Sequence, residues 1–159
     1  MGKIRLYADN ACDLDLEFLE QLQVKLFYMP VTIKDKTYRD RLTINPGKFY
    51  SLIAEPGVIP MTAQITPVEF QEEFERVMKE SDDDIIYIAF SSGLSGTYQS
   101  ACIVRDMVNP ERITVIDSES ASVGYGLTVI KAAHDIAAGK SKEEVIAGIK
   151  DNIERIQHI

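Results

Sequence analysis

The chain has 159 residues, which is the size of one ordinary domain or of one large part of a two-domain protein. Hydrophobic residues make up 45% and charged residues 26%, so we expect a packed core under a charged surface and not a disordered chain. The formal net charge of −8 argues against nucleic acid, and against an anionic membrane surface, as the primary partner.

Cysteines and histidines are too few and too scattered to predict a metal site. Cys12 and Cys102 show no CxxC spacing, and the two histidines are His134 and His158. The N-terminus lacks the long apolar segment of a secretory signal, and no apolar run is long enough to span a bilayer. We therefore expect a cytoplasmic protein with reduced thiols, without metal or cofactor and without stable membrane insertion.

The first third of the chain predicts two strands and a helix. Residues 3–8 alternate apolar and polar side chains, as a half-buried strand does. Large apolar side chains recur every four residues from Leu14 to Leu22, with Phe18 between them, and this spacing predicts a helix. Residues 24–33 predict a second strand, and because Pro30 lies inside it, we expect that strand at a sheet edge or restarting after the proline.

The remaining chain continues the alternation of helices and strands. The further predicted elements are a short helix after Pro46, a helix after the capping box Thr66–Glu69, a buried strand over 85–90, a helix from about Ser95 to Met107, a buried strand over 113–116, a helix over 127–137 that Gly139 ends, and a helix after the capping box Ser141–Glu144. This order predicts an α/β fold with a parallel, Rossmann-like, doubly wound sheet flanked by helices. Ligand sites in such sheets lie at the carboxyl ends of the strands.

A loop of small residues follows the predicted central strand and opens a helix. Its polar side chains are Ser91, Ser92, Ser95 and Thr97, and Gly96 allows the backbone to approach a ligand closely. Free N–H groups at the helix start, together with these hydroxyls, can bind an anion. The loop is neither a Walker A loop nor a G-x-S-x-G nucleophile elbow. From the spacing alone, an anion site and a simple capped turn both remain open.

Two other polar segments fall near predicted strand ends. Residues 60–64 contain Thr62 and are, by themselves, compatible with an ordinary loop. Asp9 and Asp13 follow the first predicted strand, and we expect one of them to cap the next helix. Cys12 is equally compatible with packing and with a reactive thiol.

Seven segments, in order, resemble the motifs of the DegV family of bacterial fatty-acid-binding proteins. They are ADNACDL (8–14) for T-D-S-x-x-D-L, MPV (29–31) with YRD (38–40) for V-P-L and Y-x-D, PMTAQ (60–64) for P-x-T-S-Q, SSGLSGTYQSA (91–101) for S-S-x-L-S-G-T-Y-x-S-A, VIDS (115–118) for V-x-D-S, and GYG (124–126) for G-x-G. Ala63 and Asn10 depart from the usual serines. The resemblance covers residues 1–159, which we expect to be a single N-terminal domain of that family, truncated before a second domain.

The resemblance implies a non-catalytic protein that carries a long-chain fatty acid, such as palmitate or oleate, and presents it to a fatty acid kinase. Carried over from the family motifs, the carboxylate ligands are Thr62 and Ser95, with Ser92 as the competing choice, within the loop from Ser91 to Thr97 that includes Gly96. The Arg and His that the family takes from its second domain would lie beyond Ile159, and His158 is not expected to replace them.

Truncation leads to two expectations of its own. The face that would meet the second domain should be an apolar patch, covered by self-association, a ligand or crystal contacts. The chain alone should bind fatty acid weakly unless a dimer closes the cleft. Two other functions remain open: a small hydrolase using Ser92 or Ser95, and a regulatory module without a ligand. A hydrolase needs a base beside its serine, and the mid-helix His134 is expected to have a surface or packing role.

Overall fold

The computed structural model of the protein describes residues 2–157 and shows an α/β domain. In chain order the elements are β1 (Ile4–Asp9), a 3-10 turn (Asn10–Cys12), α1 (Leu16–Gln21), β2 (Val24–Phe27), β3 (Pro30–Ile33), β4 (Lys36–Arg39), α2 (Pro46–Ile53), β5 (Met61–Thr62), α3 (Pro67–Glu80), β6 (Asp84–Ala89), α4 (Thr97–Val108), β7 (Ile113–Asp117), α5 (Ser122–Ala137) and α6 (Lys142–Arg155).

Four parallel strands form the main sheet, in the order β2-β1-β6-β7. Leu6 of β1 is in register with Val24 of β2 on one side and with Ile86 of β6 on the other. Five of the six residues of β6 are buried, as expected for a central strand that is covered on both faces. The predicted parallel, doubly wound sheet is therefore confirmed.

Two hydrophobic cores lie on opposite faces of this sheet. Ile86 and Ile88 point to one face, where they meet buried side chains of α5 and α6 such as Val129 and Ile149. Ile85 and Tyr87 point to the other face, where an aromatic cluster includes Phe70 and Phe74 of α3 together with Tyr7 and Phe27. Adjacent strand residues alternate between the two cores because successive side chains of a strand point to opposite faces.

The expected restart after Pro30 is confirmed, but the restarted segment joins a second sheet that the sequence did not predict. β2 ends at Phe27, and the chain restarts at Pro30 in a different, three-stranded antiparallel sheet with the order β4-β3-β5. The turn between the two strands is held by the side chain of Asn10, whose Oδ1 accepts from the amide of Met29 at 2.8 Å. This small sheet has its own core, formed by Val31, Ile33 and Ile44 with apolar side chains of α2.

Two predicted helices exist, but their buried faces differ from the prediction. In α1, Leu19 is buried and Phe18 is exposed, and the cap is Asp15, whose carboxylate accepts from the amides of residues 17 and 18. α5 begins at Ser122, earlier than predicted, and its Leu127 is 53% exposed. Gly126 is buried instead and faces the 3-10 turn, where a Cβ would meet the Cys12 carbonyl oxygen at 2.7 Å.

Both predicted capping boxes are confirmed. The amide of Thr66 donates to Glu69 at 3.0 Å at the start of α3, with Pro67 at the first helical position. At the start of α6, the amide of Glu144 donates to Ser141 Oγ at 3.2 Å, and the amide of Ser141 donates to the Glu144 carboxylate at 2.8 Å. These local patterns fixed the helix starts because all their partners lie within one turn of the chain.

Candidate anion-binding loop

The loop from Ser91 to Thr97 lies at the carboxyl end of the central strand β6, where α4 begins. It folds back on itself, since the amides of Leu94 and Ser95 both donate to the carbonyl of Ser91 at 3.0 and 3.1 Å. The neighbouring strand holds it as well: the amide of Ser92 donates to the Asp117 carboxylate at 3.1 Å. The loop is thus fixed to two adjacent strand ends of the main sheet.

A buried carboxylate holds Phe90, the residue just before this loop. Asp9, at the carboxyl end of β1, is fully buried, and its carboxylate accepts from the Phe90 amide at 2.9 Å, the Tyr87 hydroxyl at 2.8 Å and the Ala11 amide at 3.1 Å. Desolvation raises the pKa of Asp9 to about 6, against the lowering effect of these donors. Asp9 caps the 3-10 turn by accepting from the Ala11 amide. It also joins the end of β1 to Phe90, and this second role could not be predicted from its position after β1.

The hydroxyls of Ser95 and Thr97 form a short chain of hydrogen bonds. The Thr97 amide donates to Ser95 Oγ at 3.2 Å, and the two hydroxyl oxygens lie 2.9 Å apart. Thr97 Oγ1 also accepts from the amide of Ile65 at 3.2 Å. Thr97 is fully buried and links two backbone segments, whereas Ser91, Ser92 and Ser95 are half-buried at the loop surface.

The side chain of Gln64 leaves no room for a Cβ at position 96. The φ of Gly96, −73°, is open to any residue, but a Cβ there would stand 2.0 Å from Oε1 of Gln64. The Gln64 carboxamide therefore occupies the space beside the Gly96 Cα, and its Nε2 donates to Ser100 Oγ at 3.2 Å. No role for Gln64 was predicted from the sequence. Its position two residues after Thr62 in the PMTAQ segment was the available signal.

Thr62 lies on β5, where it is in register with Val31 of β3, and its side chain is exposed. It borders an open cavity of about 380 Å³ in a mostly apolar setting. The cavity is lined by Val31, Asp40, Arg41, Pro46, Phe49, Tyr50, Pro60 and Thr62. Ser95 does not line this cavity; Thr62 and the loop are connected through Gln64–Ser100 and Ile65–Thr97.

Other residues considered in the sequence lie apart from the loop or in unreactive settings. Burial raises the pKa of the Cys12 thiol to about 11, which disfavours the thiolate. His134 is exposed near the last turn of α5, roughly 18 Å along the helix axis from its first turn. His158 lies outside the described residues. Residues 2–157 contain no cluster of His, Cys, Asp and Glu that could hold a metal ion. Over the same range, no helix is long and apolar enough to cross a membrane.

The fold and the loop together define a class of protein: an α/β domain with a parallel sheet, a hydroxyl-lined loop at a strand end, and an apolar cavity beside a small second sheet. The sequence model described as "Uncharacterised protein, DegV family" matches residues 3–159. The chain therefore belongs to the DegV family.

Relatives and solved structures agree with this assignment. A DegV domain-containing protein of Caldanaerobacter subterraneus is 40% identical over 159 residues, which are 100% of this chain and 56% of that protein. One from Clostridium acetobutylicum is 38% identical, with the same coverage of both chains. The chain thus spans about half the length of the curated relatives it matches.

Two solved structures illustrate the structural likeness. A DegV described as a fatty acid binding protein from Bacillus subtilis has a TM-score of 0.87 and 29% identity, over 97% of this chain and 55% of that one. A DegV family protein from Thermus thermophilus, described by its fatty acid binding, has a TM-score of 0.85 and 30% identity, over 96% and 54%.

Proposed function

We propose that this chain binds a long-chain fatty acid, such as palmitate or oleate, with its carboxylate at Thr62 and the loop from Ser91 to Thr97. The observation that carries the proposal is the docking of the Thr62 segment against this loop beside an apolar cavity. The described fatty acid binding of the similar Bacillus subtilis and Thermus thermophilus proteins supports the same ligand class.

The head group would be held by neutral donors and by the start of α4. Thr97 Oγ1 accepts from the Ile65 amide and can donate its own proton to Ser95 Oγ, which frees the Ser95 proton for an external acceptor. The first-turn amides of α4 lack carbonyl partners within the helix and carry the positive end of its dipole. Hydrogen bonds to a charged group return about 1.5–3 kcal/mol each, which offsets the cost of desolvating a carboxylate.

The tail would supply most of the affinity and would occupy the cavity that Thr62 borders. Its wall is formed largely by Val31, Phe49 and Tyr50, with two prolines, and its volume of about 380 Å³ lies in the range of small-molecule pockets. Burial of each methylene contributes ~0.8 kcal/mol. The apolar wall therefore favours a long alkyl chain over a short, polar acid.

We extend the proposal to a non-catalytic, cytoplasmic carrier that presents its fatty acid to a fatty acid kinase. The loop serines have no histidine in the same region of the described chain, because His134 lies at the opposite end of α5. The carboxylate of Asp9 is buried and accepts hydrogen bonds from the Tyr87 hydroxyl and from backbone amides. The carboxylate of Asp117 accepts from two backbone amides. Neither carboxylate is placed as a base for a serine nucleophile.

Calorimetric titration of palmitate and oleate into the purified chain tests the proposal, together with Thr62→Ala and Ser95→Ala. We expect each variant to weaken binding about 10- to 150-fold, since each removes a hydrogen bond to a charged group. Thr37→Ala is the matched control, because Thr37 lies in the same small sheet and bonds Thr32 at 2.9 Å. Unchanged affinity in both variants would place the carboxylate elsewhere. Ester hydrolysis abolished by Ser92→Ala or Ser95→Ala would show an enzyme instead.

A further inference from the structure

The side chain of Gln64 crosses from the Thr62 segment to α4. Its Nε2 donates to Ser100 Oγ at 3.2 Å, and its carboxamide packs over the Cα of Gly96. Ser100 and Thr97 are both buried, so the far end of this contact is anchored in the core of the domain. At the other end of this contact, residues 61–64 are all exposed.

The backbone alone holds Thr62 weakly. β5 has two residues and makes its pairing with β3 at an exposed edge, where the Ala63 amide donates to the Pro30 carbonyl at 3.1 Å. A two-residue strand gains little stability from its ladder. After Thr62, Gln64 donates to Ser100 of α4, and the Ile65 amide donates to Thr97 Oγ1 at the end of the loop. The distance between Thr62 and the loop serines is therefore set by these two contacts.

We propose, on the basis of the function proposed above, that Gln64 is a positioning residue that holds the Thr62 hydroxyl at the correct distance from Ser95 for both to bind one carboxylate. Gln64 acts through Ser100 and Gly96 and does not itself contact the ligand. The absence of a side chain at Gly96 serves this positioning, since a Cβ there would stand 2.0 Å from Oε1 of Gln64. Loss of the contact releases the Thr62 segment while the sheet and α4 stay in place.

The test compares two ligands with the same tail, laurate and 1-dodecanol, so that only the head group differs. Gln64→Met keeps the length of the side chain and removes the hydrogen bond, and Ser100→Ala removes its acceptor. Gln71→Met is the matched control, because Gln71 is also exposed and its Nε2 donates to a side chain, that of Glu75, at 2.8 Å. Affinities are measured by calorimetry, and circular dichroism melts verify the fold of each variant.

We expect Gln64→Met and Ser100→Ala each to weaken laurate binding about 3- to 10-fold, the value of one ordinary hydrogen bond, and to leave 1-dodecanol binding within about 2-fold. Gln71→Met should change neither. Equal loss for both ligands would overturn the positioning role, because it would show a general structural effect. If Gln64→Met binds laurate like the wild type while Thr62→Ala does not, this inference alone fails. If the wild type binds neither ligand, the proposed function fails with it.

Discussion

Asp9 places a carboxylate in the interior of the domain, against Phe90, the residue just before the loop. An isolated buried carboxylate is costly, and here three donors converge on it: the Tyr87 hydroxyl and the amides of Phe90 and Ala11. The net effect is still a raised pKa, because desolvation outweighs the donors. The sequence placed Asp9 at a strand end and suggested a helix cap. Its long-range partners are 78 and 81 residues away in the chain, and no local pattern contains them.

Asp9 gives the protein a pH-dependent contribution to stability. The unfolded chain releases this proton near the ordinary value of 3.8, whereas burial holds the pKa of Asp9 in the folded protein at about 6. Between these values the folded state binds more protons than the unfolded state, so the free energy of unfolding falls as the pH rises. We expect Asp9 to contribute about 2 kcal/mol less stability at pH 7 than at pH 4.

Urea unfolding of the wild type and of Asp9→Asn at pH 4 and pH 7 measures this effect, since the amide cannot ionise. As the pH rises from 4 to 7, the free energy of unfolding of the wild type should fall relative to that of Asp9→Asn. Asp83→Asn is a control, because the hydrogen bond from Arg5 lowers the pKa of Asp83, so its contribution is lost only as the pH falls below about 4 and should change little between pH 4 and pH 7. A difference between wild type and Asp9→Asn that does not change with pH would contradict the argument.

Thr97 should act through its hydroxyl and not through its volume. Thr97→Val preserves the shape of the side chain but leaves the buried Ile65 amide without its acceptor. We expect a loss of about 1–3 kcal/mol in the free energy of unfolding, measured in urea. Thr97→Ser keeps the hydroxyl and should lose less. If Val is tolerated better than Ser, the packing of the methyl group and not the hydrogen bond holds the two segments together.

At the scale of elements, the sequence predicted the features that depend on neighbouring residues and missed those that depend on distant contacts. The two capping boxes and the apolar run of β6 were predicted because their cause lies within a few neighbouring residues. The small antiparallel sheet was missed because residues 24–33 form one continuous apolar run, and the change of sheet depends on Asn10, which is 19 residues from Met29. The face of α5 was misjudged because side-chain size suggested Leu127, whereas the close contact with the 3-10 turn selects Gly126.

The contact between α5 and the 3-10 turn predicts a large difference between two glycines. In Gly126→Ala, the new Cβ would stand 2.7 Å from the Cys12 carbonyl oxygen, so helix or turn must shift. We expect this variant to lose about 1–3 kcal/mol of stability. Gly47→Ala in the first turn of α2 meets only an ordinary contact at 3.5 Å and should be neutral or gain up to about 1 kcal/mol. Thermal melts of both variants measure the difference, and equal effects would contradict it.

At the scale of the whole molecule, the cavity bordered by Thr62 is open to solvent on one side. Thr62, Tyr50 and Met61 lie at or beside it, and the last two are 66% and 65% exposed. The chain spans about half the length of the curated relatives it matches. The sequence motifs led to the fold and to the segments that meet at the site. They did not reveal how the segments are joined, because Gln64, Ser100 and Thr97 make contacts that depend on the packing of α4 against residues 61–65.

An open cavity predicts a shallow dependence of affinity on acyl-chain length. A fully enclosed methylene contributes ~0.8 kcal/mol, or about a 4-fold gain in affinity, and a tail with one side in water should gain about half that free energy. We therefore expect affinity to rise only about 2-fold per methylene from octanoate to decanoate to laurate, measured by calorimetry. Thr62→Ala should weaken all three acids by the same factor and leave this slope unchanged, because it alters the head group alone. Sedimentation in the same buffers is required, since a second copy covering the cavity would steepen the slope. A 4-fold gain per methylene in a monomer would show that these residues enclose the tail by themselves.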